Sequence, residues 1–414
     1  MPPADSMRWR VDFFYRNTAK PEDYWKSAGK SWNKHVESFL ERKKGIAEAV
    51  NQVVAASDSP EAKIQKIYAA VSQMENQSFA NPPLAPAPSA GAEDVLQKRS
   101  GTHDELNRLF VAMVRAAGIP ATMMWVPDRG RATFDPNFMS TDQLDAEVAI
   151  VQLGGQDVFL DPGTKFCPYG VLNWHYAGSR GLRQGGNGNT ALADTPAPTY
   201  KQANIQRVAR LQLTDKGTME GTLAVGFSGQ EAMVCRQQAA NLDVNARKKL
   251  LEDEVGSWLH GGTQVTLTNA PEWDKTEGTL VGKFKVAGPL ATNNGQRWVV
   301  PVHVFQANEK PLLSSPQRDT PVYFDYASRQ VDEVHIILPA NVEWGNLPSN
   351  AQAKTGYALY TTEQKREGTN GIFASRDMTM NGALFAPAEY KELKDFYDKV
   401  AAGDQLQVVV KGLR

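Results

Sequence analysis

The sequence predicts an α+β fold in more than one domain, and three features carry that expectation. Amphipathic helical segments fill most of residues 21–118, alternating runs around Gly154-Gly155 form a hairpin at 147–160, and short alternating strands dominate from Asn204 onward. Helices gathered beside a short antiparallel sheet, not interleaved with parallel strands, make the α+β pattern. At 414 residues the chain exceeds one ordinary core, so two or three domains are expected.

Bulk properties narrow the classes further. With 45 basic against 46 acidic residues and a net charge of −1 there is no field to attract nucleic acid, and no long basic run. No stretch reaches the roughly 20 apolar residues of a membrane span. The N-terminus has no apolar h-region and does not read as a signal peptide, which fits either a cytoplasmic protein or one whose targeting segment is gone. Two cysteines, Cys167 and Cys235, make no disulfide framework and no CxxC pair, and read as buried thiols.

Residues 9–16 alternate as a strand that stops at Asn17. A lone strand cannot stand by itself, so it must pair within the chain or be the end of a truncated N-terminal β-sandwich covering 1–20. Pro21 opens the first helix, with Glu22 and Asp23 in its first turn and Trp25, Trp32, Val36, Phe39 and Leu40 at helical spacing. A second helix carries Ile46, Ala49, Val50 and Val53, and Ser59-Pro60-Glu61 starts a third through Ile64, Ile67, Tyr68 and Val71. Residues 79–93 are Pro/Ala-rich and read as surface loop, and a short turn of helix at 94–99 leads into the helix of 101–118. Strands follow at 121–126, 147–153 and 157–160, and the Gly/Asn/Ala/Pro-rich segment 178–198 reads as an interdomain linker. The last part, 201–414, reads as a β-sandwich with a helical insertion at 230–259 and a closing helix at 387–402.

Gly101-Thr102-His103 opens a helix that leaves through Ala117-Gly118-Ile119-Pro120, and the hairpin ends at Leu160-Asp161-Pro162 before Cys167-Pro168-Tyr169-Gly170. In this order the segments resemble the bacterial transglutaminase-like superfamily, a papain-like Cys-His-Asp core flanked by β-sandwich domains. The resemblance implies a core of helices on a short antiparallel sheet within 21–200. It also implies a catalytic Cys at the helix start, a His opening the hairpin and an Asp orienting that His. Carried over, these positions fall on His103, Ala146 and Asp161; only Asp161 is of the expected type. Triad members act as a unit, so loss of both nucleophile and base implies a degenerate site with no catalytic residue, cofactor or metal, more a pseudoenzyme than an enzyme.

A structural reading accounts for the same letters. Thr102-His103-Asp104-Glu105 has the S/T-x-x-E form of a capping box, which makes His103 the first helical residue, and the helix dipole is expected to hold its imidazole neutral. Two chemical alternatives stay open. Cys167 could be a relocated nucleophile with His175 or His103 in a thiol-dependent hydrolase or amidase, although it follows no helix start that would lower its pKa. His103 and Asp161 could instead centre a metal-dependent hydrolase, although adjacent helix residues diverge and the six histidines form no ligand motif. The aromatics Trp125, Phe166, Tyr169, Trp174 and Tyr176 are candidates to line the former active-site groove, where a peptide, protein or glycan would sit; equally they could seal the core. Gly185-Gly186-Asn187-Gly188 follows no strand and is no phosphate loop. The resemblance, not the composition, implies a bacterial cell-envelope or periplasmic protein acting as a binding or scaffolding module.

Overall fold

The structure is a computed structural model that describes residues 2–3, 6, 18, 20–41, 44–80, 88–293, 297–340 and 342–412. The strand expected at 9–16 lies outside the described residues. Contacts divide the chain into two units, Met1–Pro198 with Lys275–Glu277, and Thr199–Asp274 with Gly278–Arg414.

The first unit begins with three helices, α1 (Pro21–Phe39), α2 (Lys44–Val53) and α3 (Pro60–Ser72), each started or faced as the spacing predicts. Pro21 and Pro60 sit in first turns, where the missing N–H costs nothing, and Ser59 Oγ accepts from Ala62 N at 3.2 Å. After α4 (Ala92–Lys98) comes α5 (His103–Ala116), the central helix, whose Leu106, Leu109, Phe110 and Met113 are almost wholly buried. Each such side chain stabilises the unit by on the order of 1.5–3 kcal/mol relative to exposure. Gly118, at φ +83, ends the helix in a conformation other residues adopt at a cost.

Five strands form one antiparallel sheet: β1 (Ala121–Val126), β2 (Ala146–Leu153), β3 (Gln156–Leu160), β4 (Arg180–Gln184) and β5 (Thr190–Asp194), in the order β3-β2-β1-β4-β5. Gly154 and Gly155 both have positive φ, which a tight hairpin turn of matching twist requires. Met123, Ala149 and Val151 face the helices, whereas Met124, Ala146, Val148 and Ile150 face Leu172 and Ala177. The segment 178–198 is therefore no simple linker: it supplies two strands. Its glycines hide an inward Leu182 and a buried Gln184, whose Oε1 accepts from Met123 N at 2.7 Å.

The capping box of α5 is formed. Thr102 Oγ1 accepts from Glu105 N at 3.4 Å, and Glu105 Oε2 accepts from Thr102 N at 2.9 Å. Thr102→Ala should cost about 0.5–2 kcal/mol, read as a lower urea midpoint at unchanged slope. A change under about 0.3 kcal/mol would show that the cap contributes nothing.

The second unit is β-rich. Its main sheet has eight strands: β6 (Ala203–Leu213), β7 (Thr218–Gly229), β8 (Gln264–Leu267), β9 (Leu280–Pro289), β11 (Ser328–Ile337), β12 (Gln352–Lys354), β13 (Ala358–Glu367) and β14 (Gly371–Met380). They run in the order β8-β9-β7-β6-β11-β14-β13-β12, antiparallel except where β6 meets β11. A four-stranded sheet built on β10 (Trp298–Pro301) and β15 (Gln407–Lys411) shares one core with it through Val300, Val408 and Val410. The insertion is two helices, α6 (Gln230–Ala239) and α7 (Val244–Trp258), and α7 adds Leu251 and Val255 to that core. Helix α8 (Tyr390–Asp404) packs Leu393, Phe396 and Val400 against Tyr360, Met378 and Met380. The expected sandwich is thus a large sheet covered by a small sheet and helices together. The strand expected at 298–305 stops at Pro301, which has no N–H for the ladder, and turns into a 3-10 helix at Val304–Gln306.

Candidate functional site

Three elements carry the residues on which the family pattern places its triad. His103 is the first residue of α5, Ala146 the first of β2, and Asp161 follows β3 directly. His103 Nε2 lies 2.8 Å from Asp161 Oδ1, and His103 Nδ1 lies 2.8 Å from Asp104 Oδ1. Both ring nitrogens face carboxylate oxygens, so both carry protons and the ring is an imidazolium. Burial opposes this charge, but Asp161 and Asp104 outweigh it and raise the His103 pKa to about 10. The expectation of a neutral imidazole is corrected: a partial charge at a helix end is weaker than two carboxylates in hydrogen-bond contact. Adjacent residues 103 and 104 do converge here, because in the first turn the Asp104 side chain folds back to accept from both His103 and Glu147 N, the latter at 2.9 Å.

Asp161 is fully buried and fully partnered. Its Oδ1 also accepts from Asn107 Nδ2 at 2.9 Å, and its Oδ2 from Thr164 Oγ1 at 2.6 Å. Burial alone would raise its pKa; the His103 cation and these donors lower it below the ordinary carboxylate value. Asn107, one turn beyond His103, also takes Gly163 N at 2.8 Å and gives to Glu147 O at 2.7 Å, fastening α5 to β2 and to the turn that follows β3. Only glycine fits at 163, since a Cβ there would come within 2.2 Å of the His103 carbonyl oxygen. Beside this network Arg108 clasps the buried Glu147 through Nε at 2.7 Å and Nη2 at 2.5 Å, and Trp32 Nε1 adds a third donor at 2.7 Å.

Ala146 sits among Leu172, Ala177 and Val148, and its methyl can neither take nor give a proton. Sequence reasoning weighed Asp104 only as a metal ligand and missed Asn107, Arg108, Glu147 and Thr164 as members of this network. The i to i+4 spacing of His103 and Asn107 on one helix face was the readable signal; the contacts from 147 and 164 had none.

The other candidates separate. Cys167 is fully buried; its thiol donates to Val171 O at 3.1 Å, and burial first, then Asp161, pushes its pKa well above the ordinary thiol value. His175 instead pairs with Asp128, Nδ1 to Oδ1 at 2.6 Å, so neither it nor His103 bonds the Cys167 thiol among the described residues. Cys235 lies in the second unit, its pKa raised to about 12 by burial. Among the described residues no group of three or more His, Cys, Asp or Glu side chains is placed to hold a metal.

The five aromatics fall into distinct contacts. Trp125 stacks on Trp32 with ring centroids 5.9 Å apart, and Tyr169 meets Tyr68 edge-on at 5.6 Å. Trp174 lies 3.8 Å from the His175 ring, and Tyr176 is 5.2 Å from the His103 ring. Phe166, at φ 63, is buried. Trp174 and Tyr176, both partly buried, each pack on the His175 ring, and Tyr176 also reaches His103.

A helix whose first residue faces a strand-end Asp beside a hairpin is an arrangement of the papain-like fold. Comparison agrees: residues 47–154 match the transglutaminase-like superfamily, and form such a domain. Residues 296–410 match a domain of unknown function with a solved structure, DUF3858. A solved chain from Parabacteroides distasonis, described as a "putative protease", shares the fold with a TM-score of 0.51 at 13% identity. The alignment covers 92% of this chain and 58% of that one, so the present chain spans under two thirds of its neighbour's length. No curated protein matches the chain. No helix among the described residues is long and apolar enough to cross a membrane.

Proposed function

We propose that this chain is a transglutaminase-like protein that has lost the family reaction and serves as a binding or scaffolding module, in keeping with the family resemblance to bacterial cell-envelope proteins. The observation that carries this reading is the direct His103–Asp161 contact. In a working core of this kind, the Asp would orient a separate base and the helix start would present a thiolate. Here the helix-start residue has taken the Asp for itself as a buried ion pair. An imidazolium that donates at both nitrogens is neither nucleophile nor base at neutral pH, and the Ala146 methyl supplies neither role. What remains is a rigid domain with Trp174 and Tyr176 at its surface beside the former site, an anchor for a peptide, protein or glycan strand.

The competing thiol-enzyme reading gives a clean test. In native protein at pH 7.5, iodoacetamide should leave Cys167 unmodified over hours, and urea should expose it to full reaction; mass spectrometry reads both. The same preparation should neither hydrolyse nor transamidate glutamine-containing peptides above the buffer rate. Rapid native labelling of Cys167, or turnover that Cys167→Ser abolishes, would overturn the proposal.

A further inference from the structure

The second unit contains a cavity of about 430 Å³, and every residue that lines it lies between Gln306 and Gln405. It is therefore built wholly within the segment that matches the domain of unknown function. Its volume is that of a site for a small organic molecule. Its walls are apolar and aromatic: Phe324, Met378 and Tyr397 line it, with the Phe324 and Tyr397 rings 6.2 Å apart. Its inner end is polar, and the hydrogen-bonding capacity there is lopsided.

The donors at that end are committed. Arg376, almost fully buried, gives Nε and Nη2 to Asp404 at 2.7 and 3.0 Å, and Nη1 to Gln330 Oε1 at 3.3 Å. The Gln306 amide nitrogen is spent on Asp332 Oδ2 at 2.9 Å. An acceptor is not committed: Gln306 is 5% exposed, lines the cavity, and its Oε1 has no partner. A buried acceptor left without a donor is unfavourable, and a ligand donor would relieve that cost. At the rim Glu309 is exposed, and its carboxylate takes no hydrogen bond among the described residues; Lys310 beside it is also exposed. An anion entering this cavity finds the guanidinium already neutralised by Asp404. A cation with an apolar body finds aromatic faces, a spare carbonyl oxygen and a carboxylate.

We propose that this cavity of the C-terminal unit binds a small organic ammonium compound with an aromatic or aliphatic body, the cationic end held between Gln306 and Glu309 and the body against Phe324 and Tyr397. The site is separate from the His103–Asp161 pair and does not depend on whether the first unit is catalytic.

Isothermal titration calorimetry of the full chain with 2-phenylethylammonium as probe tests this. Saturable one-to-one binding is expected, with no saturable heat from phenylacetate, which has the same ring and the opposite charge. Glu309→Lys, at an exposed position, should weaken the ammonium probe by roughly tenfold or more while leaving the thermal transition in place. Failure of the probe to saturate, phenylacetate binding as tightly as the amine, or undiminished binding in Glu309→Lys would each overturn the proposal.

Discussion

His103→Ala is expected to destabilise the first unit by about 3–5 kcal/mol near pH 6, because it leaves the buried Asp161 carboxylate without its counter-ion. Asp161 would keep Asn107 and Thr164 as donors, which places the cost within that range and not above it. The pH dependence identifies the cause. Folded His103 holds its proton to a pKa of about 10 against an ordinary value of 6.5, so folding takes up a proton between those values. The stabilisation is complete below pH 6.5 and is lost as pH rises towards 10. Asp161, whose pKa is lowered, contributes stability above its ordinary 3.8 that is lost as pH falls through its folded value. Urea unfolding of wild type and His103→Ala from pH 5 to 10 should therefore show a gap that narrows in the alkaline half. A gap that stays constant would assign the loss to packing alone. A double-mutant cycle with Asp161→Asn should return a large coupling energy, since the two groups are in contact.

Which parts of this arrangement could be read from the chain follows from the range of the forces involved. Helix α5 was legible at both ends, because the Thr102–Glu105 box and the Gly118 exit are local devices. The hairpin was legible because two adjacent glycines between alternating runs leave few other solutions. Strands β4 and β5 were not: their composition is that of a loop, and their place in the sheet depends on pairing with β1 and on Leu182 and Gln184 finding distant partners. The same limit governed the site. That His103 and Asp161 would lie near one another followed from the family pattern, but the protonation state depended on the Asp104 side chain folding back. Nearness in sequence misled in the other direction. Cys167 and His175 are eight residues apart, yet the thiol bonds Val171 O and the imidazole bonds Asp128.

In the second unit the largest loss should come from Asp332→Ala. The alternation of β6, β11 and β14 places Arg207, Asp332 and Arg376 opposite one another in a single row across three strands. All three are buried, positions that the binary pattern reserves for apolar residues. They are tolerated because the charges close on themselves. Arg207 gives Nε and Nη2 to Asp332 at 2.6 and 3.0 Å, and Arg376 gives two bonds to Asp404, which also accepts from Tyr360 OH at 2.8 Å. Removing the Asp332 carboxylate strands the Arg207 guanidinium against Trp258 and Phe305, whose rings it covers at 4.8 and 5.0 Å, and frees the Gln306 amide. Cation–π contact of about 2 kcal/mol cannot replace a bidentate carboxylate in a dry core, so the expected cost is again about 3–5 kcal/mol. Hydrogen exchange read by mass spectrometry should show lost protection in peptides from β6, β11 and β14, with altered Trp258 emission. Asp332→Asn, which keeps the shape and loses the charge, should fall between wild type and alanine. If Asp332→Ala costs under about 1 kcal/mol, solvent reaches Arg207 and the row is not a closed network. Since Gln306 is positioned by Asp332, the alanine variant should also bind the ammonium probe less tightly, linking the buried charges of the sheet to the cavity that Gln306 and Arg376 line.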